Sequence, residues 1–312
     1  MTRLIGLPLV AGLGSALLFL SLAKGVAAGV LLSYAAPLPL MMAGLGWGGL
    51  AAGAASLVGL AAVAAVAGAL SALPFAVVAV LPALVVVNRA LLWRSDDAGR
   101  VEWYPPGLVL AWLAGTAGLM LVVAAALIPG HEAGIEGWLA ETIGSMLKVL
   151  APSLSEEQRG LATQWWTPLF PSMLAGSWLV MAVVNAATAQ GILVRSGRNR
   201  RPSPVYRQLW LPTWLGAALL AAVLVGWLAG GDPGYVGRNL ALVAVVPFAF
   251  LGLAGVHQWA AGRSNANWVL AVTYLVLFVA FGWAVLAVAG LGLVRFVSGF
   301  RDRAISGGGK EE

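Results

Sequence analysis

Cysteine is absent from this chain, which excludes disulfides, cysteine-ligated zinc and thiol chemistry. Charge is scarce. Asp, Glu, Lys and Arg make up 10% of 312 residues, where a soluble domain carries about a quarter. From Gly25 to Asn88 none of the four occurs. A stretch of that length has no side chains with which to build a solvated face, so hydrocarbon has to surround it. Histidine is limited to His131 and His257, and the sequence contains no His-Glu-x-x-His, Gly-x-Ser-x-Gly or Walker lysine loop. Without paired buried carboxylates either, metal or triad catalysis has no residues to stand on. The chain reads as non-enzymatic, with no cofactor.

What is present is apolar. Hydrophobic residues make up 61% of the chain. Segments of membrane-crossing character fall near 4–23, 25–45, 47–70, 72–93, 108–128, 173–194, 213–230, 239–260 and 267–294. The expectation is an all-α, polytopic transmembrane helical bundle of about 8–10 hydrophobic segments: one transmembrane domain over 1–300 and a short polar tail over 301–312. Ser21-Leu22-Ala23 loosely resembles a signal-peptidase site, but a second apolar segment follows directly after Lys24, so the first segment reads as a retained helix. Lys24 itself reads as a snorkelling anchor. Pro37-Leu-Pro39 is expected to break the second segment. The glycines between Gly46 and Gly59 come without a lysine and read as helix-packing positions.

Charge in the loops sets an expected orientation. Arg195, Arg198, Arg200, Arg201 and Arg207 crowd the 195–212 loop with no acid, the signature of a cytoplasmic connection. Arg89, Arg94 and Arg100 mark another. The 129–172 loop between them holds Glu132, Glu136, Glu141, Glu156 and Glu157 against Lys148 and Arg159, as an external loop would, and the N-terminus counts back to the cytoplasm. Nine simple crossings would leave Arg295, Arg301, Arg303 and Lys310 outside. A break in the last segment around Gly282, or a re-entrant earlier segment, restores an inside tail. The expected location is the bacterial inner membrane. The formal charge of +6 then meets anionic lipid headgroups, not nucleic acid.

Within the external loop, Ile135, Trp138, Leu139, Ile143, Met146, Leu147 and Leu150 recur at helical spacing opposite Glu136, Glu141 and Lys148. They form an amphipathic helix near 135–150 that lies on the membrane surface or caps an external cavity. Trp165 and Trp166 follow at the re-entry point, as belt residues or as a stacking platform for a ligand. The same belt reading covers Trp93, Trp210, Trp214, Trp259 and Trp268. The polar groups deepest in apolar segments are neutral: Tyr34 after Ser33, Asn185 with Thr188 one turn on, and Gln190. Tyr34, Trp165, Trp166, Asn185 and Thr188 are the candidate lining for a small neutral ligand. Interhelical hydrogen bonding is the competing reading for the polar groups among them.

Ser33-Tyr-Ala-Ala-Pro-Leu-Pro-Leu40 followed by Gly44-Leu-Gly-Trp-Gly48, an arginine near position 94, Asn185 ahead of an arginine-rich turn, and Gly292-Leu-Val-Arg-Phe-Val-Ser-Gly-Phe-Arg301 resemble the YybS-like bacterial membrane proteins. Arg295 and Gly299 stand where that family's tail tends to carry acids. The family in turn looks like the S-components of energy-coupling-factor transporters. The resemblance implies an integral membrane subunit that binds substrate and works with an ATP-driven transport module or another membrane protein. The alternative is a membrane scaffold of a cell-envelope complex, similar in outline to the cell-shape protein MreD.

Overall fold

Proline and glycine decide where these apolar segments break. The computed structural model describes residues 2–24, 27–128 and 130–307. Gly25 and the tail from Gly308, with Lys310, lie outside the described residues, as do the side chains of Lys24, Arg301 and Arg303. The order is α1 (Thr2–Leu20), α2 (Ala27–Tyr34), α3 (Pro37–Trp47), α4 (Gly49–Ala67), α5 (Ala72–Phe75), α6 (Leu81–Ala90), β1 (Trp93–Ser95), β2 (Val101–Trp103), α7 (Pro106–Leu127), α8 (Gly134–Leu150), α9 (Glu156–Trp166), α10 (Phe170–Arg195), α11 (Thr213–Leu228), α12 (Gly231–Ala260), α13 (Ala266–Val279) and α14 (Phe281–Gly307). The protein is all-α apart from one short hairpin. Among the described residues eight helical stretches are long and apolar enough to cross a membrane, from Gly6–Ala23 to Gly282–Gly299, and the apolar α11 and α13 are shorter. Leu50 and Trp283 on the long helices, and Trp227 and Phe278 on the two shorter ones, are each more than 80% exposed. That exposure would be costly in water and costs little in lipid.

The expected break at Pro37 is present: Ala35 and Ala36 form a turn, and Pro37 opens α3 as its first residue, where no N–H is needed. The segment expected over 267–294 divides at Ala280 into α13 and α14, close to Gly282. α12 begins at Gly231, well before 239, because Asp232 and Arg238 sit within its first turns. The 129–172 loop holds two helices instead of one. The second, α9, starts at a reciprocal cap in which Ser155 Oγ accepts from Gln158 N and Gln158 Oε1 accepts from Ser155 N.

The hairpin pairs Trp93 with Trp103 and Arg94 with Glu102, and turns at Gly99 with φ +74°. Asp96 organises that turn by accepting from Arg100 N, Ala98 N and Arg100 Nε. The Arg100 backbone N–H and then its guanidinium hold the Asp96 carboxyl below its ordinary 3.8. A depressed folded-state pKa stabilises the turn above the unfolded value, and the contribution is lost as pH falls through the lower folded value. Amide exchange at Gly99 and Arg100 should therefore show protection at about pH 6 that is reduced at about pH 2.

The chain divides into two compact units, Met1–Leu113 with Trp178–Tyr206, and Ala114–Ser177 with Arg207–Glu312. In the first, Phe75, Leu40, Met41 and Val63 are fully buried, and Phe19 meets Phe75 edge-on at 5.3 Å. Gly12 of α1 lies against Ala55 O and Val58 of α4, a separation only glycine permits. A five-residue-register turn at Ala76–Val80 precedes Pro82. In that register the Val77 carbonyl would look to residue 82, a proline with no N–H, and Trp178 Nε1 donates to it instead at 2.9 Å. In the second unit, Phe248, Leu251, Leu215 and Tyr235 are buried. There α12 and α14 approach backbone to backbone, Gly252 against Val288 O and Gly292 against Phe248 O.

Candidate functional site

In the first unit Tyr34 ends α2, and the turn after it diverts the usual helical donor from its carbonyl, because Leu38 N bonds Ala35 O. Asn185 Nδ2 fills the gap, donating to Tyr34 O and to Met181 O, both at 2.8 Å. Both amide hydrogens of Asn185 are thereby committed to backbone, and the residue is buried. Ser15 Oγ donates to Ala36 O in the same turn at 2.6 Å. Thr188 stands exposed on α10, and Gln190 is buried with Nε2 donating to Arg201 O at 2.9 Å. Trp165 and Trp166 belong to the second unit, exposed at the end of α9. Of the five candidates, the described contacts join Tyr34 with Asn185.

The second unit has a matching asparagine that its place in the sequence does not single out. Asn239 is fully buried; its Oδ1 accepts from Ser172 N at 3.0 Å, and its Nδ2 donates to Pro168 O and Tyr235 O at 3.1 Å. Tyr235 adds a 2.6 Å bond from its hydroxyl to Thr167 O. Each unit thus spends one buried asparagine on its own i−4 carbonyl and on a backbone group freed at a proline-containing break. A polar pair four residues apart, Tyr235 and Asn239, followed by an apolar run was the available signal.

In the second unit an open apolar cavity of about 700 Å³ lies between α7, α11 and α12. Its walls alternate small residues, Gly115 and Gly118 of α7, Ala218 and Ala222 of α11 and Gly237 and Ala244 of α12, with larger apolar ones such as Val122, Leu215 and Leu240. Trp214 sits by Gly115 at one end. At the other, Ile135 of α8 and Asp232 complete the lining. The α7 wall from Gly115 to Ala126 is about 16 Å long at a helical rise of 1.5 Å per residue. Volume and length suit an elongated small molecule. Asp232 is the only ionisable residue in the lining. Its Oδ1 accepts from Ile135 N at 2.7 Å, at the start of α8. Arg238 Nη2 lies 3.9 Å from Glu136 Oε2, a second tie between α12 and α8. The apolar stripe of α8 buries Leu139 and Ile143, whereas Met146, Val149 and Leu150 are exposed, as a surface-lying helix requires.

The histidines serve local structure. His131 Nδ1 accepts from Ala133 N, so Nε2 carries the proton that faces Glu141 Oε1 at 3.2 Å. His257 Nε2 pairs with Tyr274 OH at 2.9 Å. Among the described residues no group of three His, Cys, Asp or Glu side chains is placed to hold a metal.

At the arginine-rich end of the first unit, Arg201 is buried and donates from Nη1 to Ala90 O at 2.8 Å and Tyr104 O at 3.3 Å. It thereby neutralises the carbonyl end of α6. Burial lowers its pKa and raises that of Tyr206. Arg89 stacks on Trp112 at 3.9 Å. Arg200 Nη1 donates to Trp47 O at 2.8 Å, at the end of α3. No family model matches this chain, and neither curated proteins nor solved structures give a match.

Proposed function

We propose that this chain is a non-enzymatic, multi-pass subunit of the bacterial inner membrane that binds an elongated, mostly apolar small molecule in the α7–α11–α12 cavity and serves its transport. The observation that carries the reading is the cavity itself: small residues on three helices leave a long space with one carboxylate at its end. Helices in lipid gain from close packing, so a space of this size left between three helices, where Gly115, Gly118, Ala218, Ala222 and Ala244 alternate with larger apolar residues, offers room for an occupant. The single carboxylate suits a ligand that ends in a hydroxyl or amine donor. α8, tied to α12 through Asp232 and Glu136, borders the end at which the ligand would enter. The resemblance to YybS-like proteins and S-components supports the same class of activity, and the arginine-rich loop favours an external position for the α8 end. An ATP-driven transport module or another membrane protein would supply the energy.

The test is retention of 1-dodecylamine and 1-dodecanol by the purified full chain in amphipol, read by native mass spectrometry. Both should bind. Ala222→Trp, which fills the middle of the cavity, should reduce retention at least about tenfold by steric exclusion while the helical content is kept. Retention unaffected by Ala222→Trp, or absent from the outset, would remove the binding reading and favour the scaffold.

A further inference from the structure

At the arginine-rich end of the first unit, a recess of about 410 Å³ is lined by Trp47, Gly48, Leu50, Trp93, Trp103 and Arg200, with Gly49 and Leu91 completing it. Three indoles from two separate parts of the chain converge with one guanidinium there. The α3–α4 junction supplies Trp47 and Leu50, and the hairpin supplies Trp93 and Trp103.

Arg200 is held in place from behind. Its Nη1 donates to Trp47 O, and it packs against Gly48, whose φ of +103° and missing side chain leave the room. A Cβ on Gly48 would come within 2.7 Å of Nη1. A guanidinium has five N–H donors; the others on Arg200 have no partner among the described residues. Two of the three acids on the hairpin are ion-paired, and the third, Asp97, is exposed in its turn. Glu102 pairs with Arg94 at 2.7 Å, and Asp96 with Arg100 at 2.7 Å. Arg195 and Arg198, exposed a few residues upstream of Arg200, have no acidic partner among the described residues. Arg195, Arg198 and Arg200 outnumber the single unpaired acid of the hairpin, so this end of the unit carries an excess of positive charge.

Leu50 indicates what fills it. It is 93% exposed at the start of α4, a helix long and apolar enough to cross the hydrocarbon, so this lining residue lies against acyl chains, whereas Arg200 is on a polar loop. Indole rings prefer the same boundary. A site that is apolar on one side, cationic on the other and aromatic between them is matched to one molecule with those parts in that order. We infer that this recess is a binding site for the headgroup of an anionic phospholipid, with the phosphate on Arg200 and the first acyl carbons along Leu50. A soluble acidic peptide satisfies the charge and leaves Leu50 unused.

The experiment compares phosphatidylglycerol with phosphatidylcholine retained on the purified full chain, by native mass spectrometry. Phosphatidylglycerol should be retained preferentially. Arg200→Gln removes the charge and keeps a polar side chain; it should lower phosphatidylglycerol retention about fivefold and leave phosphatidylcholine unchanged. Trp93→Ala, at an exposed strand position, should lower retention of both lipids. Equal retention of the two lipids by the native chain would overturn the inference, as would displacement of phosphatidylglycerol by millimolar inorganic phosphate or by an acidic peptide. Because the recess and the α7–α11–α12 cavity use different residues, Ala222→Trp should leave lipid retention intact.

Discussion

Asn239→Leu should cost about 3 kcal/mol of stability and lower the thermal midpoint of the detergent-solubilised protein by several degrees. The side chain is fully buried and satisfies three backbone groups at once: Ser172 N–H, Pro168 O and Tyr235 O. Ser172 N–H belongs to the first turn of α10 and has no partner within its helix. Leucine has the same number of side-chain heavy atoms and offers no polar one, so an amide and a carbonyl would be stranded where water does not reach them, at roughly 1–3 kcal/mol each. Asn185→Leu should have the same sign and a smaller size, since the group it strands in the turn after α2 is the single carbonyl of Tyr34. Equal midpoints for wild type and Asn239→Leu would show that lipid or water replaces the amide.

Gly292→Ala and Gly290→Ala should move stability in opposite directions although they lie two residues apart on α14. A Cβ at Gly292 would overlap Phe248 O of α12, and one at Gly252 would overlap Val288 O of α14. The close approach places glycine Cα–H groups against carbonyl oxygens, a contact that helix pairs in lipid use in place of a hydrophobic driving force. One methyl group at Gly292 must push the helices apart and disturb the edge-on Phe248–Phe296 pair at 5.3 Å. A loss of about 2–3 kcal/mol is expected. A Cβ at Gly290 would meet nothing within 4 Å, so alanine there should gain up to about 1 kcal/mol of helix propensity. Thermal unfolding of both variants, followed by circular dichroism, decides it: a shared direction would mean that α12 and α14 are not held by this contact.

These two predictions rest on residues that differ in how far the sequence reveals them. Asn185 stands out as an amide inside an apolar segment, but nothing in the string shows that its partner is the carbonyl of Tyr34, because that carbonyl is freed by a turn at Ala35 and Ala36 and reached over a long separation in sequence. Asn239 lies between a charged first turn and an apolar run, and so looks like a boundary residue. Gly252 and Gly292 are two among 40 glycines; what distinguishes them from Gly290 is the atom across the interface. The hairpin escaped for a related reason. Its strands are three residues each, too short for period-two alternation to register.

The sequence by itself determined the solvent of this protein and most of its helix boundaries, since both follow from local quantities: the lack of charge over Gly25–Asn88, the lengths of apolar runs, and prolines at Pro37 and Pro82 that remove an N–H wherever they stand. Only the tertiary structure decided which polar groups are spent on mending backbone and where space is left, with small residues on α7, α11 and α12 bordering an open cavity while small residues on α12 and α14 bring their backbones together. Glycine and alanine permit both outcomes. Which one occurs depends on the neighbouring helix, and that neighbour is set by contacts distant in sequence that composition and periodicity do not encode.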